Sequence, residues 1–157
     1  MNKLLLLFSI LAVSLTACKK DRLKLSETNY LVFGKYFAEC EGECVVLFRI
    51  DSNRVLKAKK PPLPYAFKPF YDGPYTVLSQ QKFAVAQDLI KDFPMDLLTE
   101  PSAVIGDPDA GDWGGFYVEY NFNGVRKSWL IDKMRSNLPT KYLNFADKMD
   151  EKLKLLR

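Results

Sequence analysis

The chain has 157 residues, 23 of them basic and 19 acidic, with a net charge of +4 and no histidine. A Ser-His-Asp or Cys-His hydrolase is thereby excluded, and so is a zinc site built on imidazole. The basic excess is small and scattered, which is no nucleic-acid footprint. Carboxylates, lysine and tyrosine remain available for acid–base work, so catalysis is demoted and not forbidden.

Met1-Asn2-Lys3 leads into a run from Leu4 to Leu15 that is apolar apart from Ser9 and Ser14. Its length suits the core of a secretory signal, roughly 7–15 residues, and falls short of the roughly 20 a membrane-spanning helix needs. The run ends in Leu15-Thr16-Ala17-Cys18, which resembles the lipobox of bacterial lipoproteins. That resemblance implies cleavage after residue 17, a diacylglyceryl group on the Cys18 thiol, and a fatty acyl chain such as palmitate on the new amine. Two or three acyl chains hold a protein to a membrane unaided. The expected organisation is a signal peptide over 1–17, a charged tether over 18–28 and one domain over 29–157, a length that suits a single core.

Tyr30 to Phe37 and Val45 to Ile50 read as strands, the second with Val46, Phe48 and Ile50 on one face. Asp51-Ser52-Asn53 is a turn and Arg54 to Ala58 the returning strand. Between the first two strands lie Cys40 and Cys44, an even pair in an exported domain, which favours a disulfide fixing the turn. A metal site with Glu39, Glu41 or Glu43, a redox pair, and free or intermolecular thiols are the other readings. The neighbouring carboxylates would raise a thiol pKa and so count against redox work.

Pro61 to Pro74 is proline-rich and aromatic, a loop and not a strand. Its aromatics either fold back as a lid over the core or form a ligand platform. Ser79 reads as the N-cap of a helix, with Phe83, Ala86, Ile90 and Phe93 as its apolar stripe and Pro94 as its stop. Asn123-Gly124 is a type I′ turn signal. Pairing outward from it sets Phe122 against Val125, Tyr120 against Lys127, Val118 against Trp129 and Phe116 against Ile131. The opposite face, with Glu119, Asn121, Arg126 and Ser128, reads as solvent-exposed. After Pro139, the stripe Leu138, Tyr142, Phe145, Met149, Leu153 and Leu156 marks a second amphipathic helix. The order of elements predicts an α+β fold, an antiparallel sheet built from hairpins with two helices packed on one face.

Gly106 to Gly115 holds Asp107, Asp109 and Asp112, which invite a calcium reading. The spacing fails the EF-hand pattern at two positions, and a glycine-rich turn with local aspartate hydrogen bonds is the plainer alternative. Trp113, beside Tyr117, is a candidate for stacking on a sugar or peptide. No motif indicates a cofactor and no catalytic set is recognisable.

Phe33-Gly34, the Glu39-Cys40-Glu41-Gly42-Glu43-Cys44 turn with its apolar strand, Ile105-Gly106 through Asp109, Asp112, Gly114-Gly115 and the Tyr117-to-Glu119 strand together resemble a group of small uncharacterised lipoproteins of Bacteroidetes. The resemblance covers most of the mature chain and implies location and fold, but no activity. It also implies that relatives often carry a second cysteine pair where Asp107 and Ala110 stand here, which would deny this chain a four-cysteine metal site. Surface-exported lipoproteins of that phylum tend to be acidic just after the lipidated cysteine, whereas this chain has Lys19-Lys20-Asp21-Arg22. The expectation is an outer-membrane lipoprotein facing the periplasm, its partners the membrane and an envelope protein or glycan. A non-catalytic binding module is favoured over a small carboxylate-dependent, calcium-assisted hydrolase centred on Asp107, Asp109 and Asp112.

Overall fold

The computed structural model describes residues 23–64 and 69–157. The signal peptide, Cys18 and the aromatics Tyr65 and Phe67 lie outside the described residues. Seven strands form one sheet in the order β4-β3-β2-β1-β6-β7-β5: β1 Tyr30–Tyr36, β2 Val45–Ile50, β3 Val55–Ala58, β4 Tyr75–Val77, β5 Val104–Ile105, β6 Gly115–Phe122 and β7 Val125–Asp132. Every pairing is antiparallel except β5 with β7. The fold is α+β, as the alternation of hairpins and helices predicts.

The β6–β7 hairpin has the register expected from its turn, with Phe122 opposite Val125 and Val118 opposite Trp129. Asn123 and Gly124 both adopt positive φ, 50° and 80°, as a type I′ turn requires. Because side chains alternate along a strand, that register puts Phe116, Val118, Tyr120, Trp129 and Ile131 on one face, joined by Leu31, Phe33, Val46, Phe48 and Ile50 of the neighbouring strands.

That face is covered by the helices. The first runs in two pieces, α1 Gln80–Ala86 and α2 Asp88–Asp92, where the sequence suggests one. Ser79 caps it by accepting the Lys82 N–H, and the chain leaves the helix at Phe93, before Pro94. The break falls at Gln87, whose carbonyl takes the N–H of Ile90 in a tighter three-residue turn. The second helix, α3 Thr140–Leu156, buries Tyr142, Phe145, Met149, Leu153 and Leu156. Phe93 joins the layers, its ring 5.5 Å from Phe145, 5.9 Å from Tyr120 and 6.5 Å from Trp129.

Two expectations need correcting. The other sheet face is not solvent-exposed: Glu119 is fully buried, and Val32, Leu47, Ala58, Tyr71 and Tyr117 form a second apolar cluster there. The cause is the described part of the proline-rich connection, whose Leu63 and Tyr71 pack in that cluster. Its Tyr71 is buried and its hydroxyl donates to the Lys59 carbonyl, 3.1 Å away. The described part of that connection thus behaves as a lid. The domain also begins within the stretch read as tether, since Leu23 is buried in the helix-side core and Leu25 packs against it.

Candidate functional site

Two polar constellations stand out, one at an end of the sheet and one beneath the lid. The first is assembled where β1 and β7 finish. Strand alternation sets Lys35 and Phe37 on the same side of β1 and its continuation, and Lys133 follows β7. The ammonium of Lys133 lies 4.5 Å from the centre of the Phe37 ring and that of Lys35 lies 5.6 Å from it, both within cation–π range. Lys133 Nζ also donates to the carbonyl of Trp113 at 3.0 Å. Trp113 itself is 57% exposed.

Burial is the main cause holding both lysines below the usual ammonium range. The nearby cations Arg157 and Lys133 add to it at Lys35, while at Lys133 the pull of Lys154 and Arg157 is opposed by Asp150 and Asp109. Among the described residues neither Lys35 nor Lys133 forms an ion pair. Two partly desolvated cations on one phenyl ring, one of them also held by the backbone carbonyl of Trp113, suit an anionic group, a carboxylate or a phosphate.

The glycine-rich loop frames this end. Asp109 sits at φ 68° and spends both carboxylate oxygens on backbone donors: Oδ2 takes the N–H of Ala38 and Oδ1 that of Gly114, each at 2.8 Å. Gly114, at φ 76°, lies so close to β1 that a Cβ there would be 2.4 Å from the Tyr36 carbonyl oxygen. Buried Asp132 at the end of β7 accepts from the N–H groups of Asp107 and Met134 and from the Asn137 amide, at 2.7 to 2.9 Å. The aspartates therefore organise loops. Among the described residues no group of three or more histidines, cysteines, aspartates and glutamates is placed to hold a metal ion.

Cys40 and Cys44 are joined as a disulfide, their Cα atoms 5.6 Å apart, which closes the turn between β1 and β2. Trp113 and Tyr117, both candidates for ligand contact, do not offer a common surface. Tyr117 is 1% exposed and belongs to the cluster beneath the lid.

There the second constellation is found. Glu119 Oε2 lies 2.7 Å from the Tyr117 hydroxyl, which is also 3.0 Å from the Pro69 carbonyl oxygen. Arg126 donates to Glu119 Oε1 at 2.7 and 2.8 Å, pairs with exposed Asp72 at 2.6 Å, and stacks on the Phe70 ring. Burial is the largest influence on Glu119 and raises its pKa above the ordinary carboxylate range, against the pull of Tyr117 and Arg126. Burial likewise pushes the phenols of Tyr75 and Tyr117 well up. The cluster locks the lid to the sheet through Pro69, Phe70 and Asp72. Sequence reasoning missed it, because alternation marked Glu119 and Arg126 as a wet face. The signal present was the proline-rich segment, long enough to cover that face.

The chain matches no known family model and no curated protein. Among the described residues no helix is long and apolar enough to cross a membrane.

Proposed function

We propose that this chain is a lipid-anchored envelope protein, and that its domain is a non-catalytic binding module held by Cys18 at the periplasmic face of the outer membrane. The observation that carries the reading is the pairing of cysteines. The sequence has three, and Cys40 and Cys44 are joined to each other. Cys18 is left over, directly after the apolar run and in the lipobox position. The closed disulfide itself suits an oxidising compartment. The same placement is what the resemblance to small lipoproteins of Bacteroidetes implies.

The binding surface in this reading is the end of the sheet formed by Trp113, Phe37, Lys133 and Lys35, and its ligand is an anionic envelope component such as an acidic glycan or peptide. The carboxylate-dependent hydrolase fares worse, because both oxygens of Asp109 are engaged by backbone donors. The test has two parts. Intact mass of the membrane-extracted protein should show the acyl chains at Cys18. Crosslinking in the intact envelope should capture a component that Trp113→Ala with Lys133→Ala loses. An unacylated cysteine sinks the anchor, and capture unchanged in the double variant sinks the surface.

A further inference from the structure

At the other end of the sheet, β6 and β7 turn over through Asn123-Gly124, and the tip of that hairpin presents apolar surface. Phe122 and Val125 face each other across the turn and are 42% and 66% exposed. With Leu98, Tyr120, Asn123 and Lys127 they line a recess of about 410 Å³. The rings of Tyr120 and Phe122 stack with centres 6.1 Å apart. Phe122 and Val125 together make one apolar spot at the end of the hairpin.

The entering chain lies against the same tip. Leu23 is buried in the same core cluster as Tyr120, and Leu25 packs against it. The Asn29 side chain accepts the N–H of Asn123 at 2.8 Å, and the Thr28 carbonyl accepts from the Asn121 amide at 3.1 Å. A stretch from Cys18 to Lys24 reaches at most about 21 Å, at roughly 3.3–3.6 Å per residue. Lipid on Cys18 would therefore hold the bilayer surface within about that distance of the place where the chain joins the fold, beside the tip, and the Trp113 end lies about 20 Å from there along β1. Of the described residues there, Lys24 and Lys127 are basic and Glu27 is acidic, and in the sequence Lys19, Lys20 and Arg22 against Asp21 lead into Leu23. Such segments are drawn to anionic headgroups.

Resting on the acylation of Cys18 proposed above, we propose that the β6–β7 tip is the membrane-facing end of the domain, with Phe122 and Val125 seated among the headgroups of an anionic bilayer. The acyl chains retain the protein. The tip fixes its orientation and turns the Trp113–Lys133 end away from the membrane.

The test uses the acylated protein extracted from membranes and returned to vesicles of phosphatidylethanolamine with one quarter phosphatidylglycerol. A polarity-sensitive fluorophore is placed on Val125→Cys or, at the far end, on Ser136→Cys; Cys40 and Cys44 are bonded and Cys18 carries lipid, so the label has one target. The expected result is a blue shift at position 125 on reconstitution and quenching there by nitroxide-labelled lipid, with neither at position 136. Unshifted, unquenched emission at 125 from protein that still floats with the vesicles overturns the orientation and leaves the anchor standing. A blue shift without lipid quenching overturns it in favour of contact between two copies of the chain. Protein that does not float and carries no acyl mass overturns the anchor, and the orientation with it.

Discussion

The Oδ2 of Asp109 accepts the backbone N–H of Ala38 at 2.8 Å, from 71 residues away in the chain. One carboxylate thereby ties the glycine-rich loop to the start of the cysteine turn, and through Oδ1 it also closes its own loop on Gly114. Asp109→Ala removes both acceptors and leaves a Cβ-bearing residue at positive φ without local support, so a loss of about 1–2 kcal/mol is expected in urea unfolding. Asp109→Asn keeps one acceptor and tolerates the left-handed conformation, and should lose less than half of that. If Asp109 were a calcium ligand, millimolar calcium would raise the melting temperature by linkage; no such rise is expected.

Phe93 touches Tyr120, Trp129 and Phe145, so it joins the first helix, the hairpin and α3. Phe93→Ala should cost about 3–5 kcal/mol, the range for emptying a fully packed aromatic site. Phe122→Ala, at the exposed tip, should cost under about 1 kcal/mol by the same denaturation assay. Similar losses for the two would mean that the hairpin tip is part of the core.

That contrast shows what could be read from the sequence. The hairpin register followed from Asn123-Gly124, because only one pairing about that turn puts Val118, Tyr120 and Trp129 on the same side. The apolar stripes of both helices named their buried faces. By contrast, β4 and β5 have three and two residues, too short to carry a period, and were not foreseen. Trp113 was legible as a candidate because it sits in a loop. Lys35 and Lys133 were not, because their meeting on Phe37 depends on where two distant strands end. Glu119 was misread for a similar reason: alternation tells which residues share a face, and cannot tell what the connection after Ala58 does with that face.

Glu119 and Arg126 make a pH prediction. Glu119 binds its proton more tightly in the folded protein, since burial raises it above its unfolded value. The stability from this is fully present below about pH 4.3, the ordinary value, and is lost as pH rises through the raised folded value. Glu119→Gln should flatten that slope. Arg126→Ala strips the carboxylate of its cation and should cost about 3–5 kcal/mol at neutral pH, with a smaller loss in acid, where Glu119 is protonated. A penalty equal at pH 4 and pH 7 would show that the pair is not what couples this site to pH.

The disulfide closes a short loop, and loop-entropy scaling gives it about 2 kcal/mol. Cys40→Ser with Cys44→Ser should lower the unfolding free energy by about that much without changing the sheet, because the Phe37 N–H still bonds the Cys44 carbonyl at 3.0 Å. Amide exchange should quicken in residues 38–43 alone. Exchange spreading along β1 and β2 would mean that the bond is needed for the hairpin itself.

Lys35 separates a folding role from a binding one. It is 9% exposed, and its ammonium is held low first by burial and then by Arg157 and Lys133. A lysine with a lowered folded pKa binds its proton less tightly when folded. Its charge therefore opposes folding at neutral pH, and that opposition fades as pH rises through the folded value towards the unfolded one, near 10.4. Lys35→Met keeps the apolar stem and removes the charge. The variant should be at least as stable as the wild type at pH 7, with the difference narrowing by pH 9.5, while capturing less of the envelope component. A fold improved and a capture weakened by the same change would mean that the ammonium is kept for the ligand. Reduced stability at pH 7 would instead make Lys35 a structural residue, and would take the anionic-ligand reading of this end of the sheet down with it.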